Sequence, residues 1–117
     1  MTIAQPNLTQ VSFHEAGLVG IAHSGGIVTL ALDDVQFSGV PRAAKVTVEG
    51  VHTILRNGQP IPALRMEEKN GEILTLRKED GRVLLAIQWE GFVAKRHEVV
   101  AYTLDGRKVA LRVTPSA

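Results

Sequence analysis

Short stretches of alternating apolar and polar residues run through most of the chain, separated by dipeptides that end in glycine. In each dipeptide a small polar residue precedes Gly, a pair that tolerates the positive backbone dihedrals of a two-residue β-hairpin turn. The five dipeptides are Ser24-Gly25, Asn57-Gly58, Asn70-Gly71, Asp80-Gly81 and Asp105-Gly106. The pattern predicts strands that reverse direction at these positions.

A two-residue turn also predicts which side chains face each other. At Asp80-Gly81 it brings opposite charges together beside the turn and aliphatic side chains together further along. The predicted pairs are Glu79 with Arg82, Leu76 with Leu85, and Leu74 with Ile87. Two other turns likewise predict hairpins with one apolar face. Their pairs are Ile21 with Val28 and Val19 with Leu30 at Ser24-Gly25, and Tyr102 with Val109 and Val100 with Leu111 at Asp105-Gly106.

Two prolines distinguish the hairpin at Asn57-Gly58. Pro60 and Pro62 lie two residues apart on the returning strand, at positions whose missing N–H groups point away from the partner strand. That side of the strand is therefore predicted to be an edge, a gap or a bulge.

The stretch from residue 63 to residue 72 fits the strand pattern least well. A turn at Asn70-Gly71 pairs Lys69 with Glu72, but it mixes charged and apolar layers unless a bulge or a longer loop intervenes. Residues 63–69 are good helix formers and could form one or two helical turns. Helical periodicity is otherwise nearly absent.

These patterns predict an all-β fold, an antiparallel meander of about eight strands forming a small barrel or a two-sheet sandwich, with at most one short helix. A single β domain spans residues 1–117, with flexible ends at 1–12 and 114–117. The predicted strands are 17–23, 27–33, 43–56, 59–66, 72–79, 82–90, 92–104 and 107–114. In the third of these, Ala44, Val46 and Val48 show the alternation of a half-buried strand.

Composition narrows the functional classes. The 117 residues include 13 Lys and Arg against 12 Asp and Glu, and no Cys. The missing Cys excludes disulfides, thiolate zinc sites and thiol catalysis. The near-zero net charge and the few aromatic residues argue against a nucleic-acid partner. Neither a signal-peptide pattern nor a membrane-spanning apolar stretch is present, which predicts a cytoplasmic protein without membrane contact.

No set of residues has the spacing of a catalytic or metal site. The four histidines, His14, His23, His52 and His97, include no ligand-spaced pair. The prediction is therefore that the protein is not an enzyme and holds no metal or cofactor. His14 and Glu15 would act together only if the chain is irregular there, since neighbours on a strand point to opposite faces. An enzyme that uses His14 or His52 with a carboxylate is the remaining catalytic hypothesis.

Basic residues near the C-terminus form the candidate partner surface. On the predicted hairpin they lie on two neighbouring strands and could form one basic patch. They are Lys95, Arg96 and His97 on one strand, and Arg107, Lys108 and Arg112 on the other. Trp89 continues an apolar face, which predicts a core position with its indole N–H bonded to a carbonyl.

Three segments carry a family resemblance. Residues 13–21 read Phe-His-Glu-Ala-Gly-Leu-Val-Gly-Ile, residues 26–32 read Gly-Ile-Val-Thr-Leu-Ala-Leu, and residues 46–51 read Val-Thr-Val-Glu-Gly-Val. This order resembles a broad group of small bacterial β-rich proteins that open with Phe/Trp-His-Asp and carry a strand ending in Gly-Val. Some of them are immunity proteins of toxin systems. The resemblance implies a bacterial source and a non-enzymatic, partner-binding role.

The resulting functional prediction is a non-catalytic domain that binds and neutralises, or positions, a protein partner. The last strand, residues 107–113, is a candidate open edge for pairing with a partner or for a homodimer. The alternative is a barrel that binds a small apolar molecule in an interior cavity. The cavity would be lined by Val19, Ile21, Leu30, Leu74, Leu85, Ile87 and Trp89.

Overall fold

The computed structural model describes residues 11–91 and 96–116, which fold into ten β-strands without a helix. The strands are β1 (Val11–Ser12), β2 (Gly17–Ser24), β3 (Ile27–Phe37), β4 (Val40–Glu49), β5 (Thr53–Arg56), β6 (Gln59–Ile61), β7 (Asn70–Glu79), β8 (Arg82–Gly91), β9 (Arg96–Asp105) and β10 (Ala110–Pro115). The predicted all-β antiparallel class is confirmed. Residues 62–69, where one or two helical turns were conceivable, form an irregular segment.

The strands form one antiparallel sheet that is not closed. Its order is β10-β4-β3-β2-β7-β8-β9-β5-β6, and β1 pairs with β3. The two halves of this order meet where β2 pairs with β7 through only two residue pairs, Gly17 with Glu72 and Leu18 with Gly71. The molecule is 22 Å across its shortest dimension, which accommodates two sheet layers about 10 Å apart with their outer side chains. Buried residues from both halves belong to one core cluster.

Alternate residues of the longer strands form this core. The buried side chains Ala44, Val46 and Val48 of β4 confirm the predicted alternation. The same core cluster contains Val83, Leu85, Ile87 and Trp89 of β8. No polar or charged residue is fully buried in the part of the chain that the structure describes. The same residues include no helix long and apolar enough to cross a membrane.

The hairpin at Asp80-Gly81 is confirmed, with one correction. Asp80 and Gly81 both have positive φ angles, 51° and 77°, and Glu79 lies opposite Arg82 and Leu76 opposite Leu85. The predicted pairing of Leu74 with Ile87 is wrong, because a bulge at Leu74 places Ile73 opposite Ile87. The bulge returns Ile73 to the core, where its side chain is fully buried.

The hairpin at Asn57-Gly58 is also confirmed, with φ angles of 49° and 83°. Arg56 pairs with Gln59 across the turn, and Leu55 with Pro60. The resulting strand, β6, stands at one end of the sheet order. The edge predicted from Pro60 and Pro62 is therefore present.

The first hairpin turns one residue later than predicted. Its turn is Gly25-Gly26, so Ile21 lies opposite Leu30 rather than Val28. A bulge between Leu18 and Gly20 then shifts the register again and leaves Val19 52% exposed. A one-residue shift exchanges the faces of a strand, and the bulge restores Leu18 to the core opposite Leu32.

The predicted hairpin at Asp105-Gly106 does not form. Both sides of β9 are occupied, by β8 and β5, and β10 pairs with β4 instead. The predicted pairs of Tyr102 with Val109 and Val100 with Leu111 are therefore wrong. A Cβ at Gly106 would overlap the carbonyl oxygen of Gly50, so this glycine allows two backbone segments to approach closely.

Gly50 divides the single strand predicted over residues 43–56. Its φ of 77° is a left-handed conformation, and it ends β4 in one half of the sheet before β5 begins in the other. The chain therefore changes sheet halves here instead of continuing straight. The predicted flexible ends are described only in part, because residues 1–10 and 117 lie outside the described residues. Within these ends, Val11 and Ser12 pair with β3, and Thr114 and Pro115 belong to β10. Residues 92–95 of the predicted seventh strand also lie outside the described residues.

Asn70-Gly71 is not a turn, because both residues begin β7 and pair with Glu90 and Trp89 of β8. Gly71 is needed for another reason. A Cβ there would lie 2.8 Å from Cγ2 of Ile87 and 3.1 Å from the Trp89 ring. The absent side chain leaves the space that the indole occupies.

We expect the substitution Gly71→Ala to lower the free energy of unfolding by about 1 to 3 kcal/mol, because the added methyl group overpacks a filled core. Urea unfolding followed by the fluorescence of the single tryptophan measures the change. The matched control is Gly20→Ala, whose Cβ would meet only the Ala31 Cβ at 3.6 Å. It should change stability by less than about 0.5 kcal/mol. Equal stability of the two variants would contradict the packing assigned to Gly71.

Candidate functional site

Four side chains form one hydrogen-bonded chain at the β5 end of the sheet. The Trp89 indole Nε1–H donates to the Tyr102 hydroxyl at 3.0 Å, and that hydroxyl donates to Oε2 of Glu67. Arg56 donates to both oxygens of the same carboxylate, from Nε and Nη2, each at 2.8 Å. We call this set the polar chain: Trp89, Tyr102, Glu67 and Arg56.

Strand register brings these residues together. Tyr102 of β9 lies directly opposite Arg56 of β5 on one side and Leu85 of β8 on the other. Trp89 and Tyr102 are both at inward positions, 0% and 2% exposed. Glu67 comes from the irregular segment 62–69, which follows β6 and crosses back toward β7. A buried indole N–H and a buried phenol each need a hydrogen-bond partner, and the polar chain provides one for both. It ends at the partly exposed ion pair of Glu67 and Arg56.

The electrostatics of the polar chain favour a structural role. Burial, and then the hydrogen bond to the Glu67 carboxylate, raise the pKa of Tyr102 to about 12. The hydrogen bonds to Glu67 raise the pKa of Arg56 above its usual value. At neutral pH the phenol is therefore protonated and the guanidinium charged, so both act as fixed donors. A phenol with a raised pKa is a poor general base.

A pocket of about 350 Å³ opens beside the polar chain. One wall is the irregular segment and the other is the β5–β9 pair. Its lining residues are Arg56, Ile61, Pro62, Ala63, Arg65, Glu67 and Tyr102. Charged and apolar side chains therefore line the same small pocket.

His23 holds the irregular segment in place. Leu64, only 2% exposed, donates its backbone N–H to Nδ1 of His23 at 3.1 Å. The other ring nitrogen, Nε2, donates to the carbonyl of Gly25 at 3.0 Å. Because the Leu64 N–H can only donate, Nδ1 is the acceptor of this bond and Nε2 the donor of the other. His23 thus connects segment 62–69 to the β2–β3 turn.

Neither His14 nor His52 is hydrogen-bonded to a carboxylate within the part of the chain that the structure describes. The chain is irregular at His14 and Glu15, where Glu15 has a φ of 65°, and the two side chains approach to 3.8 Å while both remain exposed. The His52 ring lines a wide, open pocket of about 590 Å³ with Asp105 and Arg107, without a hydrogen bond to the carboxylate. No cluster of three metal-ligating side chains occurs in residues 11–91 and 96–116.

The structure separates the residues of the predicted basic patch. Lys95 lies outside the described residues, and Arg96 and His97 begin β9, paired with Gly91 and Glu90. Arg107 and Lys108 follow the opposite end of that ten-residue strand, about 30 Å away. Arg112 lies on β10, where it approaches Glu49 at 3.7 Å. The expectation of neighbouring strands is wrong because β10 pairs with β4, while contact of these residues with a partner stays a prediction.

Sequence reasoning did not identify the polar chain. The core position predicted for Trp89 is confirmed, but its hydrogen-bond partner is the Tyr102 hydroxyl rather than a carbonyl. A signal was present, since the only Trp and the only Tyr both fall at apolar positions of neighbouring strands. Glu67 carried no signal, because its segment has no periodicity.

Because Tyr102 is the only tyrosine, its ionisation can be followed directly by tyrosinate absorbance. We expect a midpoint near pH 12 in the folded protein and near 10 in urea. The folded state holds the phenol proton more tightly than the unfolded chain. It therefore gains stability that is fully present below pH 10, and loses about 2 to 3 kcal/mol as the pH rises to about 12.

Two glutamate variants control this titration. Glu67→Gln removes the carboxylate charge beside the phenol and should lower the midpoint. Glu79→Gln removes a carboxylate paired with Arg77 on the exposed β7–β8 hairpin and should leave it unchanged. A midpoint near pH 10 in the folded wild-type protein would exclude the buried hydrogen bond.

A third pair of variants tests the contact between His23 and Leu64. His23→Ala leaves the buried Leu64 N–H without an acceptor and should lower the free energy of unfolding by about 1 to 3 kcal/mol. His23→Asn places an amide oxygen near the former Nδ1 position and should recover part of this loss. Urea unfolding measures both, and an alanine variant as stable as the asparagine variant would refute the role of the acceptor.

Comparison of the chain with protein-family models, with curated proteins and with solved structures gives no match. The resemblance in residues 13–51 therefore stays a prediction.

Proposed function

We propose that this protein is a non-catalytic domain that binds a protein partner by strand addition along β10. The supporting observation is the contrast between the two ends of the sheet. At β6, Arg56 and Gln59 flank a two-residue turn and form a hydrogen-bonded pair, so Pro60 and Pro62 stand at outward-facing positions. Neither has an N–H group, and this edge cannot donate to an added strand.

The edge of β10 keeps donors at two of its outward-facing positions, Leu111 and Val113, while Pro115 at a third has no N–H group. The N–H of Ser116 donates to the carbonyl of Ala43 at 2.8 Å, which sets the alternation along the strand. By that alternation Arg112 and Thr114 direct their backbone groups toward β4, and Leu111 and Val113 direct theirs outward. Among the strands formed by residues 11–91 and 96–116, β10 pairs only with β4, so two of its N–H groups and their carbonyls face away from that sheet.

Charge favours an acidic partner over a second copy. A symmetric pair of β10 strands that uses both Leu111 and Val113 places Arg112 directly opposite its own copy. Like charges in directly opposed positions destabilise a strand pair. Arg107 and Lys108, just before β10, are exposed and make no ion pair within the described part of the chain. An extended segment with acidic side chains would complement Arg107 and Lys108, whereas Arg112 already lies 3.7 Å from Glu49.

The proposal extends to the biological setting. The resemblance of residues 13–51 to small bacterial proteins, some of them immunity proteins, supports a bacterial protein that neutralises or positions its partner. A cytoplasmic location is part of the same proposal. The alternative of an interior apolar ligand has less support. Val19 is 52% exposed, and Leu30, Leu85, Ile87 and Trp89 belong to one continuous core cluster.

Variants of Leu111 test strand addition. Leu111→Pro removes an outward N–H that β4 does not use, and Leu111→Ala removes similar packing while keeping that N–H. Tagged wild-type protein and both variants are used to purify partners from the native cells, and each partner's affinity is then measured with purified components. We expect the proline variant to bind at least tenfold more weakly than the alanine variant, because it loses hydrogen bonds of about 0.5 to 1.5 kcal/mol each and blocks the edge.

The result can also contradict the proposal. Equal affinities of the proline and alanine variants would exclude β10 as the binding edge. Light scattering determines whether the protein is a monomer. A dimer that Leu111→Pro dissociates would show that a second copy, and not an acidic partner, occupies the edge. Thermal unfolding followed by Trp89 fluorescence establishes that both variants are folded.

A further inference from the structure

The pocket beside the polar chain has an unequal supply of hydrogen-bond donors and acceptors. The Tyr102 hydroxyl gives its one hydrogen to Glu67 and accepts from Trp89. The Glu67 carboxylate accepts from Tyr102 and twice from Arg56. Both side-chain acceptors that line the pocket are therefore already engaged by the protein.

Guanidinium donors remain. Arg56 uses Nε and Nη2 toward Glu67, and the same Nη2 lies 3.8 Å from Glu98. Its Nη1 makes no hydrogen bond or ion pair with the residues that the structure describes. Arg65 is exposed and has no hydrogen bond or ion pair with any described residue. It lines the pocket with all five of its N–H groups available. The polar side of the pocket thus offers donors and positive charge.

The apolar wall of the pocket comes from three consecutive residues. Ile61, Pro62 and Ala63 line the pocket, and Ile61 is partly buried against the core. These residues belong to the proline-blocked edge and the start of segment 62–69, whose position Leu64 and Glu67 fix. The apolar wall is therefore held by the same contacts that hold the polar chain. A volume of about 350 Å³ is at the small end of the range for ligand sites.

We propose that this pocket binds a small organic carboxylate whose apolar body lies against Ile61, Pro62 and Ala63. The carboxylate bonds to Arg65, with Nη1 of Arg56 as a second donor. Guanidinium and carboxylate groups match in a two-pronged geometry, which Arg56 and Glu67 already show within the pocket. An organic cation fits poorly, since Arg65 repels it and Arg56 already neutralises Glu67.

Nuclear magnetic resonance titration of the full-length, ¹⁵N-labelled protein tests the inference. The probes are benzoate and 3-methylbutanoate, with benzamide as the neutral counterpart. We expect both acids to cause saturable shifts at the amides of residues 61, 63 and 65 at millimolar concentrations. Benzamide should bind at least fivefold more weakly, because it lacks the charge that the guanidinium groups recognise.

Two arginine variants separate recognition from general charge. Arg65→Gln should weaken benzoate binding about fivefold, while Arg42→Gln, which removes another exposed and unpaired arginine on β4, should leave it unchanged. Both positions are exposed, so both variants should fold. Leu111→Pro should also leave benzoate binding unchanged, which keeps this inference separate from the proposed strand addition.

Several outcomes would overturn the assignment. They are equal binding of benzoate and benzamide, equal effects of the two arginine variants, or no saturable shift with either acid. A final titration compares a tetrapeptide that ends in a free carboxylate with the same peptide as its C-terminal amide. Tighter binding of that peptide than of both free acids would assign the pocket to the end of a polypeptide and refute a small-molecule ligand.

Discussion

The fold depends on satisfying the polar ends of two buried aromatic side chains. Trp89 and Tyr102 lie almost wholly within the core, where an unpaired indole N–H or phenol hydroxyl would be costly. The pairing of β8 with β9 brings the Trp89 indole N–H to the Tyr102 hydroxyl oxygen, which accepts its hydrogen bond. The phenol hydrogen then requires an acceptor outside the strands, and Glu67 provides it.

That requirement explains why an irregular segment is well placed. Residues 62–69 have no ladder of backbone hydrogen bonds, yet Glu67 is held by two neighbouring strands and Leu64 by His23. Burial of Leu64 adds an apolar contact to these polar ones. The pocket exists because this segment stands over the β5–β9 pair at a fixed distance, which a mobile loop would not provide.

The two ends of the sheet order have different physical properties. At one end, β6 is closed to further pairing by its prolines and carries the pocket wall. At the other, β10 presents backbone donors and nearby cations. An exposed edge is a hazard that proteins usually block, so an edge left open opposite a blocked one is a reasonable place for a partner. The two proposed sites use different elements and different chemistry.

Local patterns in the sequence predicted much of the secondary structure. The alternation in β4, the turns at Asn57-Gly58 and Asp80-Gly81, and the edge at Pro60 and Pro62 depend on backbone preferences and on neighbours a few residues away. Such properties are readable because they involve one or two strands at a time. The class of fold follows from them.

The strand order, the register shifts within the hairpins and the candidate sites required the tertiary structure. Asp105-Gly106 has the composition of a hairpin turn, but β10 pairs with β4 because β5 and β8 already occupy both sides of β9. Gly71 likewise has the neighbour of a turn glycine and serves instead to admit Trp89. The sequence by itself therefore determined the class of fold and two of its turns. Only packing between distant strands decided their order, and with it the position of Arg56, Glu67 and Tyr102, because those contacts join residues whose separation along the chain leaves no periodic signal.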